Sequence, residues 1–148
     1  MVNPFDPKTV LLAKHAQHVV LVHFPIGLFL AAVGFDLAGH RTQKPILAVV
    51  ARYNFLIAAV ATLPVMATGL LAWRWQLEGQ RIKGILLQHL ALGVVSSVLI
   101  WLVWWLHLRA SRNQGGKLPG YRLPIELVAA LAVAVTGHLG GFLSGVNQ

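Results

Sequence analysis

Val19-Val20-Leu21-Val22-His23-Phe24-Pro25-Ile26-Gly27-Leu28-Phe29-Leu30-Ala31-Ala32-Val33-Gly34-Phe35-Asp36-Leu37 is the stretch on which the fold turns. About 20 predominantly apolar residues cross a hydrocarbon core of about 30 Å. This run reaches that length while carrying one imidazole and one carboxylate. Three further runs, 47–73, 85–108 and 125–143, have the same character. The connectors 39–45, 74–84 and 111–124 are polar and broken by Pro or Gly. Spans and connectors together use the whole chain. The expectation is a single all-α domain over 1–148, a polytopic membrane protein built as a four-transmembrane-helix bundle.

Composition agrees. The chain has 148 residues, of which 57% are hydrophobic and 11% charged, and its mean hydropathy is +0.69. An ordinary soluble domain of this size would not carry so little polar surface. Cysteine is absent, which excludes disulfides, thiolate metal sites, iron–sulfur clusters and covalent c-type haem. The polar stretch 3–14 precedes a span too long for a signal-peptide core, and no small-residue cleavage site follows, so the N-terminus reads as uncleaved.

The net charge is +8, but the twelve Lys and Arg residues cluster at span ends instead of forming one stripe, which argues against nucleic acid and for contact with the lipid bilayer. Arg41, Lys44, Arg52, Arg109, Arg112, Lys117 and Arg122 fall on one side, and Lys8, Lys14, Arg74, Arg81 and Lys83 on the other. The excess makes the first side cytoplasmic and both termini periplasmic. Trp73 and Trp75 at one face and Trp101, Trp104 and Trp105 at the other fit interfacial aromatic belts. Small residues (Gly27, Ala31, Gly34, Gly93, Ser96, Ser97, Gly137, Gly140 and Gly141) suit close helix packing, and Pro25 and Pro64 predict kinks.

His15, His18, His23, His89 and His138 gather toward the periplasmic side, and His40 and His107 toward the cytoplasmic side. Ionisable side chains within spans are costly and usually face the bundle interior. His23 and His89 each precede a glycine, Gly27 and Gly93, by one helical turn, which leaves bare backbone beside each imidazole. Thr68-Gly69 in span two and Thr136-Gly137 in span four add an echo: a helical hairpin duplicated as a parallel repeat, with His23 opposite His89.

Two facing imidazoles suit the axial positions of a non-covalent b-type haem, with His23 and His89 as the preferred iron ligands and His18 or His138 as substitutes. Arg74, Arg81 or Lys83 would meet the propionates. A small Zn or Cu site made from the same histidines is the alternative. Asp36, with His40 and His107, forms a candidate proton or quinone site, against which stands a helix-end ion pair to Arg41 or Arg109. Glu126 reads as a carboxylate favoured at a helix N-terminus, without further function. No catalytic triad, phosphate loop or zinc-protease motif is present.

His18-Val19-Val20-Leu21-Val22-His23-Phe24-Pro25-Ile26-Gly27 with Asp36, a Thr-Gly late in span two, His89, and Thr136-Gly137-His138-Leu139-Gly140-Gly141 resemble the bacterial membrane proteins of domain-of-unknown-function family 2231. The resemblance covers nearly the whole chain. The family usually has His-Pro where this chain has His18-Val19, and an aromatic where it has His138, so His18, His23 and His89 match best. Family members resemble partners of respiratory or periplasmic dehydrogenase systems. This implies an electron-transfer subunit of the bacterial inner membrane, not a self-contained enzyme, working with a redox protein or the quinone pool. The competing class is a non-redox membrane protein, either a metal transporter or a structural anchor subunit.

Overall fold

The computed structural model describes residues 14–75, 77–112 and 119–145, without the side chains of 14–16. Four helices account for almost all of it: α1 (Lys14–Thr42), α2 (Pro45–Trp75), α3 (Ile85–Arg112) and α4 (Arg122–Leu143). Each is long and apolar enough to cross a membrane, and the chain is a multi-pass membrane protein. Large apolar side chains such as Phe24, Leu63, Val98 and Leu131 face outward, where lipid tails solvate them.

The helices run past the expected spans because their ends stay polar and close locally. Gln43, with φ +55°, ends α1, and Pro45 opens α2 at a first-turn position where its missing N–H costs nothing. After α2 the chain reverses through Glu78 and Gly79, both with positive φ, and Trp73 Nε1 donates to Gln80 O at 3.0 Å. Pro25 and Pro64 lie inside uninterrupted helices. The polar N-terminal stretch up to residue 13, with Lys8, and Lys117 fall outside the described residues.

In the ring of helices, α1 packs most extensively on α2 and α3 on α4, while α2–α3 and α1–α4 contacts close it. The core contains Phe29, Ala32, Ala51, Phe55, Ala58, Ala59, Ile100, Val103, Ala129 and Val133. Alanine, more than glycine, supplies the close approach here. Gly27 and Gly34 have nothing within 4 Å of where a Cβ would stand. Trp101 and Trp104 lean on this core, Trp101 donating to Thr62 Oγ1 at 3.1 Å, whereas Trp105 is exposed beneath Arg109.

Burial reveals the repeat directly. Pro25, Phe29, Ala32 and Asp36 on α1 correspond at one constant sequence separation to Ser96, Ile100, Val103 and His107 on α3, and every one is buried. At the same separation Ala51, Phe55, Ala58 and Thr62 on α2 match Arg122, Glu126, Ala129 and Val133 on α4, again all buried. This register pairs His18 with His89 and Gly69 with Gly140. It differs from the one suggested by the His-x-x-x-Gly and Thr-Gly echoes, which align short motifs and not inward faces.

Candidate functional site

Two polar layers interrupt the apolar core, one toward each end of the bundle. The first is fully buried. Asp36 comes from the last third of α1, His107 from the end of α3, and Arg122 and Glu126 from the first turns of α4, one turn apart on a single face. Arg122 Nε donates to Asp36 Oδ2 at 2.9 Å, and His107 Nε2 donates to Glu126 Oε1 at 2.8 Å. Phe55 of α2 stacks obliquely on His107, with centroids 4.7 Å apart. One ligand atom each from Asp36, His107 and Glu126 lies within 4.8 Å of the others. Glu126 Oε2 is the buried side-chain oxygen without a hydrogen-bond partner among the described residues.

Positions 36 and 107 are repeat equivalents, as are 55 and 126, one per helix, so this layer surrounds the bundle centre. Three of the four are ionisable, and Phe55 stands where Glu126 stands in the second hairpin. The Asp36–Arg122 pair also ties hairpin to hairpin. Asp36 does not pair with Arg41 or Arg109, because the inward face of α1 meets the start of α4. Arg41 and His40 are exposed, while Arg109 lies over Trp105.

The second layer lies toward the opposite end. The inward stripe of each helix, followed by three- and four-residue steps beyond the last buried positions, arrives at His18, Gly69, His89 and Gly140. These are half-buried. His18 Nδ1 donates to Thr68 Oγ1 at 3.2 Å, and that hydroxyl in turn donates a hydrogen bond to Pro64 O at 2.8 Å. His89 Nδ1 donates to Thr136 O at 3.0 Å, with Thr136 further held by Ser96 Oγ at 3.0 Å. Each ring rests on a glycine of the neighbouring helix. A Cβ at Gly69 would stand 3.0 Å from His18 Cε1, and one at Gly140 would stand 3.1 Å from His89 Cε1. The glycines that make room for the imidazoles thus lie across the helix interface instead of one turn along.

His23 takes a different direction. It is exposed, with Nδ1 bonded to Val19 O of its own helix at 2.6 Å, and no contact joins it to His89 among the described residues. Gly27 beside it is open, and Gly93 meets only Thr136 Cγ2 at 3.9 Å. His138 is exposed and packs edge-on against Phe142. The His15 side chain lies outside the described residues. Of the proton-site trio, His107 joins Asp36 and His40 does not.

Residues 14–147 match the family model described as a predicted membrane protein, DUF2231. The chain belongs to this family. No curated protein and no solved structure matches it. The family description says nothing of chemistry, so the two polar layers of this DUF2231 chain carry the functional argument. The sequence reads Glu126 as a helix-N-terminal carboxylate and Arg122 as a basic residue of a span end, because Pro124 and the preceding connector make both look interfacial. Their i, i+4 spacing was the available signal. Gly69 and Gly140 had a signal too, in the constant separation they share with His18 and His89.

Proposed function

We propose that this chain is a membrane electron-transfer subunit that holds one b-type haem through His18 and His89. One observation carries the reading: the inward stripes of all four helices leave the buried core and end in two imidazoles and two glycines at equivalent repeat positions. An apolar bundle has no packing need for this layer. The donor set fits. An imidazole ligand usually donates its second nitrogen to a carbonyl or hydroxyl that fixes ring and tautomer, which Thr136 O does for His89 and Thr68 Oγ1 for His18. When bound, the haem supplies a one-electron change at iron.

The protein's own part is to orient, seat and insulate. Ser96 and Thr136 brace His89, Thr68 braces His18, and Gly69 and Gly140 let each ring approach the adjacent backbone. Arg74, Arg81 and Lys83, exposed near this end, suit anionic propionates. Electrons would pass between a periplasmic redox protein and the quinone pool or a neighbouring subunit. The excess of basic residues at the opposite end supports a periplasmic position for this layer in a bacterial inner membrane.

Absorbance of the protein purified after haem-supplemented expression tests the reading. A Soret band and a reduced α-band are expected, lost or converted to five-coordinate character in His18→Ala and His89→Ala and retained in His23→Ala. Protein without a Soret band would sink the proposal. Loss of the six-coordinate spectrum in His23→Ala, but not in His18→Ala, would return the ligand role to His23.

A further inference from the structure

We propose that Asp36, His107 and Glu126 form a binding site for one divalent first-row transition cation, of which Zn²⁺ is the representative, independent of any haem at the other end. The three side chains come from three helices, and their ligand atoms lie within 4.8 Å of one another around the bundle centre. Zinc takes nitrogen and oxygen ligands at about 2.0–2.2 Å. A common point among the three atoms is therefore reached by small side-chain rotations.

Charge and hydrogen bonding point the same way. With His107 neutral, two carboxylates and one guanidinium leave a net negative charge in the low-dielectric core, which is costly unless compensated. The Arg122 guanidinium offsets only one of the two carboxylates in the arrangement seen, and a bound cation offsets the other. Glu126 is 1% exposed and its Oε2 has no partner among the described residues, so a residue of the cluster carries a buried, unsatisfied carboxylate oxygen. Arg122 bonds one oxygen of Asp36, leaving the other for the metal, as ligating carboxylates in metal sites are themselves hydrogen-bonded from outside. Three protein ligands leave a fourth position for water. A mixed imidazole and carboxylate set suits this class of ion and excludes the softest, thiolate-seeking metals.

The experiment is a titration of the full-length protein in detergent with Zn²⁺, and with Co²⁺ as a visible-absorbing probe. The expected result is saturable binding of one ion per chain, with Co²⁺ d–d bands of low coordination number. Affinity should fall about 10–100-fold or more in Glu126→Gln and His107→Gln. His89→Ala should leave it unchanged. Absence of saturable binding, unchanged affinity in Glu126→Gln, or loss of binding in His89→Ala would each overturn the proposal. Gel filtration and helical circular dichroism establish that each variant is folded. The Co²⁺ bands of the unmodified protein remain decisive even where a variant does not fold. A Soret band reads the haem separately, so either proposal can fail alone.

Discussion

Asp36 and Arg122 are buried ionisable side chains, costly to take out of water, and they hold each other at 2.9 Å. Removing one partner of such a pair strands a charge and typically costs about 3–5 kcal/mol, whereas replacing both by apolar residues is often neutral. Arg122→Met should therefore lower stability by that amount in thermal or denaturant unfolding, and Asp36→Leu with Arg122→Met should recover most of it. Glycines sort just as clearly. Gly140→Ala forces a methyl to within 3.1 Å of the His89 ring, so overpacking of about 1–3 kcal/mol is expected, together with a disturbed spectrum of any cofactor held there. Gly34→Ala meets nothing, and should be neutral or gain up to about 1 kcal/mol from helix propensity.

Among the helices, α1 and α2 continue past Pro25 and Pro64, which the sequence marks as kink sites, without ending there. The connectors are more decisive. Glu78 sits at φ +50° immediately before Gly79, a conformation that costs an L-residue about 1–2 kcal/mol and glycine almost nothing. Glu78→Gly should accordingly raise stability by up to about 1 kcal/mol, part of the gain being returned as unfolded-chain entropy. Four spans were legible because a run of apolar residues ending in Pro, Gly and charge is a local property. The facing of each helix was not legible. Phe24 is 57% exposed and Phe29 0%, yet the two side chains are identical. In lipid the outer face is as apolar as the inner, so the hydrophobic asymmetry that reveals the inward face of a soluble helix is weak here.

The whole molecule is two hairpins whose buried positions share one register and whose residues differ at the centre: Asp36 against His107, Phe55 against Glu126, Ala51 against Arg122. The ionisable residues of the inner layer gather in one cluster, whereas the other layer repeats an imidazole against a glycine in each hairpin, His18 on Gly69 and His89 on Gly140. The proposed orientation rests on the basic residues, and a chain without cysteine makes it measurable. Glu78→Cys, in the exposed α2–α3 connector, should react with a membrane-impermeant maleimide on intact spheroplasts. Ser111→Cys, exposed at the other end, should react only after permeabilisation. The opposite pattern would invert the topology and move the imidazole layer to the cytoplasmic side.

The sequence by itself determined the class, the number of spans, the limits of the helices to within a few residues, and the presence of costly ionisable groups inside them. Each of these depends on composition and local order alone. Only the tertiary structure decided which histidines look inward, which glycines receive them, and that Arg122 and Glu126 join Asp36 and His107 in a buried cluster. Depth along a helix can be counted from residue numbers. Rotation about its axis is set by the neighbours it packs against.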